Sequence, residues 1–510
     1  MPHSETPFKI AVPDDALALL HQKLAFTRLP DELDEAGWEY GAPLADVKRL
    51  VARWRDGSEV ETAVPLLFVH GWPGSFLEVR KILPLLTRAS KEHPSFHVVA
   101  FSLPGYGFSE GAHKKGFSMP QYAELANKLM LALGYEEYVM QGGDWGHLIT
   151  RHNAAMNGPK HVKAWHSNIA YPSPPSLLWN PLQIIQYLMS WYSAEEKAGL
   201  ERTQKWMKTG QGYMVEQSTK PQTLGYSLAD SPVGLLAWIY EKLATLIDEY
   251  LWEDDEILTW ISIYWFSRDG PAASIRIYYE VIQANQAENM PWSSIPLGLS
   301  HFPKEVVALP KSWSGRVGNV VLEVSHDSGG HFAAHEKPEQ LVGDLRKMFG
   351  KGGPAFGAVP GRSGRTLEGT TKFIRDDLQV TCLRHNSRGN MRHDSPESMA
   401  VVEQYKNHSS RLLASQPTMS NSSETPFKIA IPDDALALLS QKLALTRLPD
   451  ELDEAGWQYG VPLADVKRLV ARWKDGYDWR AHEAKLNAEL PMFTRDISVE
   501  GFGSLNIHYI

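Results

Sequence analysis

The chain has 510 residues, 43% of them hydrophobic and 10% aromatic, which is enough for a large core and long for a single domain. Its net charge of -9 argues against a nucleic-acid partner, which would call for a basic footprint. The one cysteine, Cys382, excludes an internal disulfide. No apolar run reaches the roughly 20 residues needed to span a bilayer, so the expectation is a cytoplasmic protein with no membrane partner.

Residues 1–57 form the first segment, and most of it is present twice. Ser4 to Gly57 recurs without gaps as Ser423 to Gly476, with differences only at Val12/Ile431, His21/Ser440, Phe26/Leu445, Glu39/Gln458, Ala42/Val461 and Arg55/Lys474. A long, nearly identical pair is unlike the short stacked units of a solenoid and reads as a duplication. The copies then part. After Gly57 the first runs directly into Ser58-Glu59-Val60. The second continues through a helical stretch to Leu490 and two β-prone runs, Phe493 to Val499 and Leu505 to Ile510, separated by Gly501 and Gly503 as in a hairpin. The first copy therefore lacks a helix and two strands. Two explanations stand: a fusion of tandem genes with an internal segment lost, or strand exchange through 477–510 within the chain or in a homodimer.

Residues 58–170 alternate strand and helix. Val64 to Val69 is an apolar run ending in His70-Gly71-Trp72-Pro73-Gly74-Ser75, and His97 to Leu103 ends in Pro104-Gly105-Tyr106-Gly107-Phe108-Ser109. Ser118-Met-Pro-Gln121 opens a helix with Tyr122, Leu125, Leu129 and Leu133 on one face, stopped by Gly134. Tyr138 to Gln141 is the next strand and Val162 to His166 the one after. The alternation implies a parallel sheet with crossover helices and a site at the strands' carboxyl ends. Residues 171–294 are aromatic-rich and helical, as an inserted lid would be. Strand-like sequence resumes within 295–350, at Ile295 to Ser300 and Asn319 to Val324. Residues 351–421 lack periodicity and read as a disordered linker, followed by the second copy and its extra helix and strands at 422–510.

Gly142-Gly-Asp144-Trp-Gly146 follows the third of these strands and precedes a helix, the layout of an α/β-hydrolase nucleophile elbow with aspartate in place of serine. A carboxylate that attacks a saturated carbon gives an ester that water can cleave, so the substrates expected are epoxides or alkyl halides. The acid and histidine belong on the two later strands' loops. Glu305 is the candidate acid, with Asp327 as rival. His331 follows the Gly329-Gly330 turn, with His326 as rival and His335 expected to be solvated at the start of the next helix.

His70-Gly-Trp-Pro-Gly-Ser75, Ser102-Leu-Pro-Gly-Tyr-Gly-Phe-Ser109, Gly142-Gly-Asp-Trp-Gly146 and Gly329-Gly-His-Phe-Ala-Ala334 together resemble the microsomal-type epoxide hydrolases. So do Gln217-Ser-Thr-Lys-Pro221, Phe302-Pro-Lys-Glu305 and the N-terminal Pro7-Phe8-Lys9-Ile10 with Thr27-Arg-Leu-Pro-Asp31. Without an N-terminal anchor, the chain is similar to the soluble fungal and bacterial branch. The resemblance implies an α/β-hydrolase fold with a helical lid and an N-terminal wrapping segment. It also implies Asp144 as nucleophile, Glu305 as acid, His331 as base, and the backbone N–H groups of Trp72 and Trp145 as an oxyanion hole. Two lid tyrosines are implied, Tyr213 and Tyr278, with Tyr279 adjacent to the latter. No cofactor or metal is implied, and the partners are a small epoxide and water. The rivals are a haloalkane dehalogenase, in which Trp145 would bind halide, and a catalytically compromised fusion product. The missing segment after Gly57 puts the sheet in doubt, because its edge would be exposed and prone to aggregation.

Overall fold

A computed structural model describes residues 63–362 and 424–510, apart from 89, 91, 173–174, 176–179, 287–288 and 453–455, and a few positions between 20 and 51. The chain forms two compact units, Met1–Glu61 with Thr366–Ser423, and Thr62–Arg365 with Glu424–Ile510. The first unit, and with it nearly all of segment 1–57 and the expected linker from 363 onward, lies outside the described residues.

The second unit is built on a parallel sheet. Its strands are β1 (Val64–Val69), β2 (Phe96–Ala100), β3 (Tyr138–Gly142), β4 (Val162–Ser167), β5 (Pro296–His301) and β6 (Asn319–Ser325), in the order β2-β1-β3-β4-β5-β6. β1 and β3 are buried at every residue, which is why they read as continuous apolar runs rather than alternating ones. Leu66 of β1 lies opposite Val98 of β2 and Val139 of β3, which aligns the carboxyl ends of the strands that carry the site. Crossovers are made by α1 (Leu83–Thr87), α2 (Met119–Ala132) and α3 (Trp145–Asn157). α2 begins at the expected capping box, with the Ser118 N–H donating to Gln121 Oε1 at 3.0 Å, and buries Tyr122, Leu125 and Leu129.

Between β4 and β5 the described residues contain helices and no strand, as expected of an inserted lid. They are α4 (Pro181–Leu188), α5 (Ala194–Thr209), α6 (Gly212–Thr219), α7 (Pro221–Asp230), α8 (Pro232–Thr245), α9 (Asp254–Trp265) and α10 (Arg276–Gln283). After β6 come α11 (Ala333–Glu336) and α12 (Pro338–Phe349). The core does not stop at 350. Ala355 and Val359 are buried, the Ala355 N–H donates to Met348 O at 3.0 Å, and Arg362 Nη1 donates to Ala63 O.

The second copy joins this same unit. Its elements are β7 (Thr425–Pro426), α13 (Asp433–Ala444), α14 (Leu463–Asp475), α15 (Trp479–Glu489), β8 (Phe493–Val499) and β9 (Gly503–Tyr509). β8 and β9 form the expected hairpin, and β9 then docks antiparallel beside the end of β2. Ala100 and Ile510 exchange N–H···O bonds at 3.0 Å, Phe101 bridges Tyr509, and the Ser102 N–H donates to His508 O at 2.9 Å. The pairing also explains why β2 ends at Ala100 rather than at Leu103. Beyond Ala100 the backbone bonds to the C-terminal hairpin instead of to β1.

The carboxyl-terminal end of the β2 edge is thus paired, by residues 506–510 of this chain, while β2 remains the edge strand of the parallel sheet. The helices of the copy grip the lid as well. Arg472 forms a bidentate pair with Asp255 of α9 at 2.7 and 2.8 Å, Arg468 pairs with Asp254, and Trp473 and Trp479 are buried. Among the described residues, no helix is long and apolar enough to cross a membrane.

Candidate active site

β3 delivers its chain to a sharp elbow. Asp144 sits at φ 51°, ψ -126°, a conformation that costs a non-glycine residue about 1–3 kcal/mol and lifts its side chain off the sheet edge. The glycines of the motif permit the approach: a Cβ on Gly146 would overlap the Val69 carbonyl oxygen. Asp144 Oδ1 accepts from the Trp72 N–H at 2.8 Å. Trp145 is the first residue of α3, where backbone N–H groups have no acceptor within the helix.

The loops after β5 and β6 bring in the next two groups. His331 Nδ1 lies 2.8 Å from Glu305 Oε1, and its Nε2 lies 3.5 Å from Asp144 Oδ2. Glu305 is buried, and Oε1 also accepts from the Val306 N–H at 2.8 Å, which fixes the carboxylate against the ring. The His331 N–H donates to Leu246 O in the lid at 2.8 Å, and Asn168 Nδ2 donates to His331 O at 3.4 Å. Burial disfavours charge on this imidazole, yet the carboxylates of Glu305 and Asp144 outweigh burial and hold its pKa well above 6.5. The resting arrangement is therefore an imidazolium between two carboxylates.

The lid supplies the tyrosines. The Trp72 ring stacks on Tyr213 at 5.4 Å, while Tyr278 meets Trp145 edge-on at 4.7 Å and Tyr213 at 6.3 Å. Tyr278 is 3% exposed and Tyr279 is 37% exposed, so the helix α10 turns Tyr278 toward the site and Tyr279 toward solvent. Burial raises both phenols, with the neighbouring Asp144 charge adding to it, so both are donors at neutral pH. Lys242 Nζ lies 4.2 Å over the Tyr213 ring, a cation–π contact.

The rivals are placed elsewhere. Asp327 is exposed, and His326 pairs with Asp344 at 2.6 Å and stacks on Phe302. His335 is buried rather than solvated: Nε2 bonds Glu256 Oε1 at 2.8 Å and the ring stacks on Trp252 at 4.8 Å. The helix it starts is covered by the lid.

Sequence reading missed the anchors of the His70–Ser75 loop. Trp260 Nε1 and the Tyr264 hydroxyl of α9 donate to the carbonyls of Pro73 and Gly74 at 2.6 and 2.5 Å. His70 bonds Gly71 O through Nδ1 and accepts from the Leu103 N–H through Nε2, and burial lowers its pKa to about 4, so it is a neutral brace between two loops. It missed Glu78 as well, a carboxylate on the wall beside Asp144 and His331. Only proximity to the His-Gly-Trp-Pro run could have drawn attention to it. Among the described residues, no group of three or more His, Cys, Asp or Glu could hold a metal ion.

A parallel sheet with a strand–elbow–helix turn at its carboxyl edge, under an inserted helical cap, is the α/β-hydrolase architecture, and residues 64–209 match the alpha/beta hydrolase fold family. Residues 5–59 and 424–510 both match the family described as the epoxide hydrolase N terminus. A Stigmatella aurantiaca relative is 37% identical over 385 residues, covering 68% of this chain and 84% of its own. Epoxide hydrolase 1 of Sus scrofa is 35% identical over 410 residues, covering 68% of this chain and 88% of its own. The juvenile hormone epoxide hydrolase of the silkworm Bombyx mori superposes with a TM-score of 0.51 at 28% identity, over 66% of this chain and 92% of that one. The chain belongs to the epoxide hydrolase family.

Proposed function

We propose that this chain converts epoxides to vicinal diols through a covalent ester on Asp144. What chiefly supports the reading is one juxtaposition: a strained elbow carboxylate, 3.5 Å from an imidazole that is itself 2.8 Å from a second carboxylate, beneath two lid phenols. Asp144 attacks an epoxide carbon, the C–O bond breaks, and Tyr213 and Tyr278 donate to the oxygen as its charge develops. Forming the ester removes the Asp144 charge. One of the two carboxylates that hold the His331 proton is then gone, so that proton leaves to make good the one the opened epoxide oxygen takes from the tyrosines, and the neutral imidazole is free to act as a base toward water. The hydroxide attacks Cγ of Asp144, the oxyanion is received by the N–H groups of Trp72 and Trp145, and collapse releases the diol.

Styrene oxide in ¹⁸O-labelled water provides the test. In a single turnover the label enters the Asp144 carboxylate before it enters diol, and Asp144→Asn forms neither ester nor diol. A diol labelled in the first turnover without labelled enzyme would sink the covalent mechanism. A halide-release assay on matched alkyl halides tests the dehalogenase alternative, which has no use for two phenol donors.

A further inference from the structure

Glu78 has no part in the chemistry just described, yet it stands beside it. It lies in the 3-10 turn Phe76–Arg80, which Ser75 caps by accepting from the Leu77 N–H. The side chain folds back over Gly74 so closely that a Cβ there would collide with Glu78 Oε1. Together with Asp144, His331, Asn168, Trp72 and Phe332 it lines a cavity. That cavity has about 10 Å³ of room for the centre of a water molecule, about what one water requires. Three of its walls carry groups that can hydrogen-bond a water, which meets the need of a buried water for two to four partners.

We infer that Glu78 is the group that holds the hydrolytic water, accepting one of its O–H bonds while His331 Nε2 takes the other proton. The inference rests on the roles proposed above for Asp144 and His331. With both hydrogens engaged, a lone pair of the oxygen is left to face Cγ of the Asp144 ester. As the new C–O bond forms, the proton passes to His331. When the tetrahedral adduct collapses, the ester C–O electrons leave with the diol oxygen, which takes that proton back. Glu78 gains and loses nothing in the cycle.

Its environment suits such a role. Burial pushes the carboxyl up to about 8, the His331 charge works against this and the Asp144 charge adds to it. At neutral pH Glu78 is therefore an uncharged acid, which sits beside ionised Asp144 without strong repulsion and keeps a carbonyl oxygen able to accept. Backbone hydrogen bonds from Gly71 and Ser75 hold it in place.

The test separates the two chemical steps in wild type, Glu78→Met and Glu78→Gln. Rapid quench with styrene oxide and intact-protein mass spectrometry follow formation and decay of the ester. Met keeps length and bulk without an acceptor, and Gln keeps a carbonyl oxygen. Ester formation in Met is expected within about threefold of wild type, while ester decay slows on the order of 100-fold and alkylated enzyme accumulates. Gln is expected to recover most of the loss. Equal decay in all three proteins overturns the inference, as does a parallel fall of both steps, which is what a merely structural role for Glu78 gives. Failure of the wild type to form any ester overturns the nucleophile assignment instead, and the two failures are thereby distinct.

Discussion

Deleting residues 503–510 should cost this protein its fold, although they lie some 360 residues from Asp144 in sequence. Besides the ladder to β8, four backbone hydrogen bonds to the end of β2 and the loop after it go with them: the reciprocal pair between Ala100 and Ile510, Ser102 N–H to His508 O, and Glu110 N–H to Asn506 O. At about 1 kcal/mol net apiece these amount to roughly 4 kcal/mol. Leu505, Ile507, Tyr509 and Ile510 are each no more than 7% exposed. Withdrawing such side chains forfeits about 1.5–3 kcal/mol each. Together the losses match the roughly 5–15 kcal/mol of a whole domain. The truncated chain should therefore show no cooperative melting transition and no styrene oxide turnover, whereas Ile507→Ala alone should cost about 2–5 kcal/mol and keep activity at low temperature. Removing Met1–Glu61 instead leaves in place every contact described within Thr62–Arg365 and Glu424–Ile510, and should leave melting and turnover near those of the full chain. Full activity and an unchanged melting temperature after loss of 503–510 would refute the reasoning. So would collapse on loss of the first copy alone.

Tyr213→Phe and Tyr278→Phe should each slow ester formation about 10²–10³-fold in stopped-flow fluorescence while leaving ester decay nearly unchanged, since a lost oxyanion donor has that weight. Glu305→Gln should slow decay more than formation, so that mass spectrometry shows alkylated protein at steady state. The His331 imidazole should titrate above 6.5 by NMR in wild type and at a lower pH in Asp144→Asn, where one of the carboxylates holding its proton is gone. Because the folded pKa is the raised one, this proton stabilises the fold fully below the unfolded value of about 6.5. The contribution fades as pH climbs through the folded value, so urea stability of wild type relative to Asp144→Asn should decline across that alkaline range. Gly146→Ala should be insoluble or inactive in a thermal-shift and turnover screen, because its methyl group meets the Val69 carbonyl.

Most of the sheet was legible because strands buried on both faces write themselves as apolar runs. Val64–Val69 is legible with the boundaries the structure has, and so is Phe493–Val499, a partly exposed strand marked instead by its β-prone residues and the glycines that follow. Asp144, Glu305 and His331 could be picked out since each lies on the loop that follows a strand, and strand ends converge on one edge. The environment of His335 was illegible because its partner Glu256 lies 79 residues upstream on a lid helix. Glu78 was silent for a similar reason. A carboxylate on a short 3-10 turn looks solvated until the turn is folded against the elbow. The hairpin at 493–510 could be seen, but its seat could not, because pairing across some 400 residues leaves no local pattern. Only the absence of two strands near residue 57 hinted that they were owed from elsewhere.

The pairing of β9 with the end of β2 also sets when this protein can mature. On the ribosome, residues 100–102 emerge some 400 residues before the strand that pairs with them. At about 5–20 residues per second, that edge waits on the order of 20–80 s for its cover. Asp144, Glu305 and His331 are all synthesised within that interval, on a sheet whose margin is still open. Synthesis speed, chaperone supply and growth temperature should therefore govern the yield of active protein more strongly than they would if the same two strands were made first.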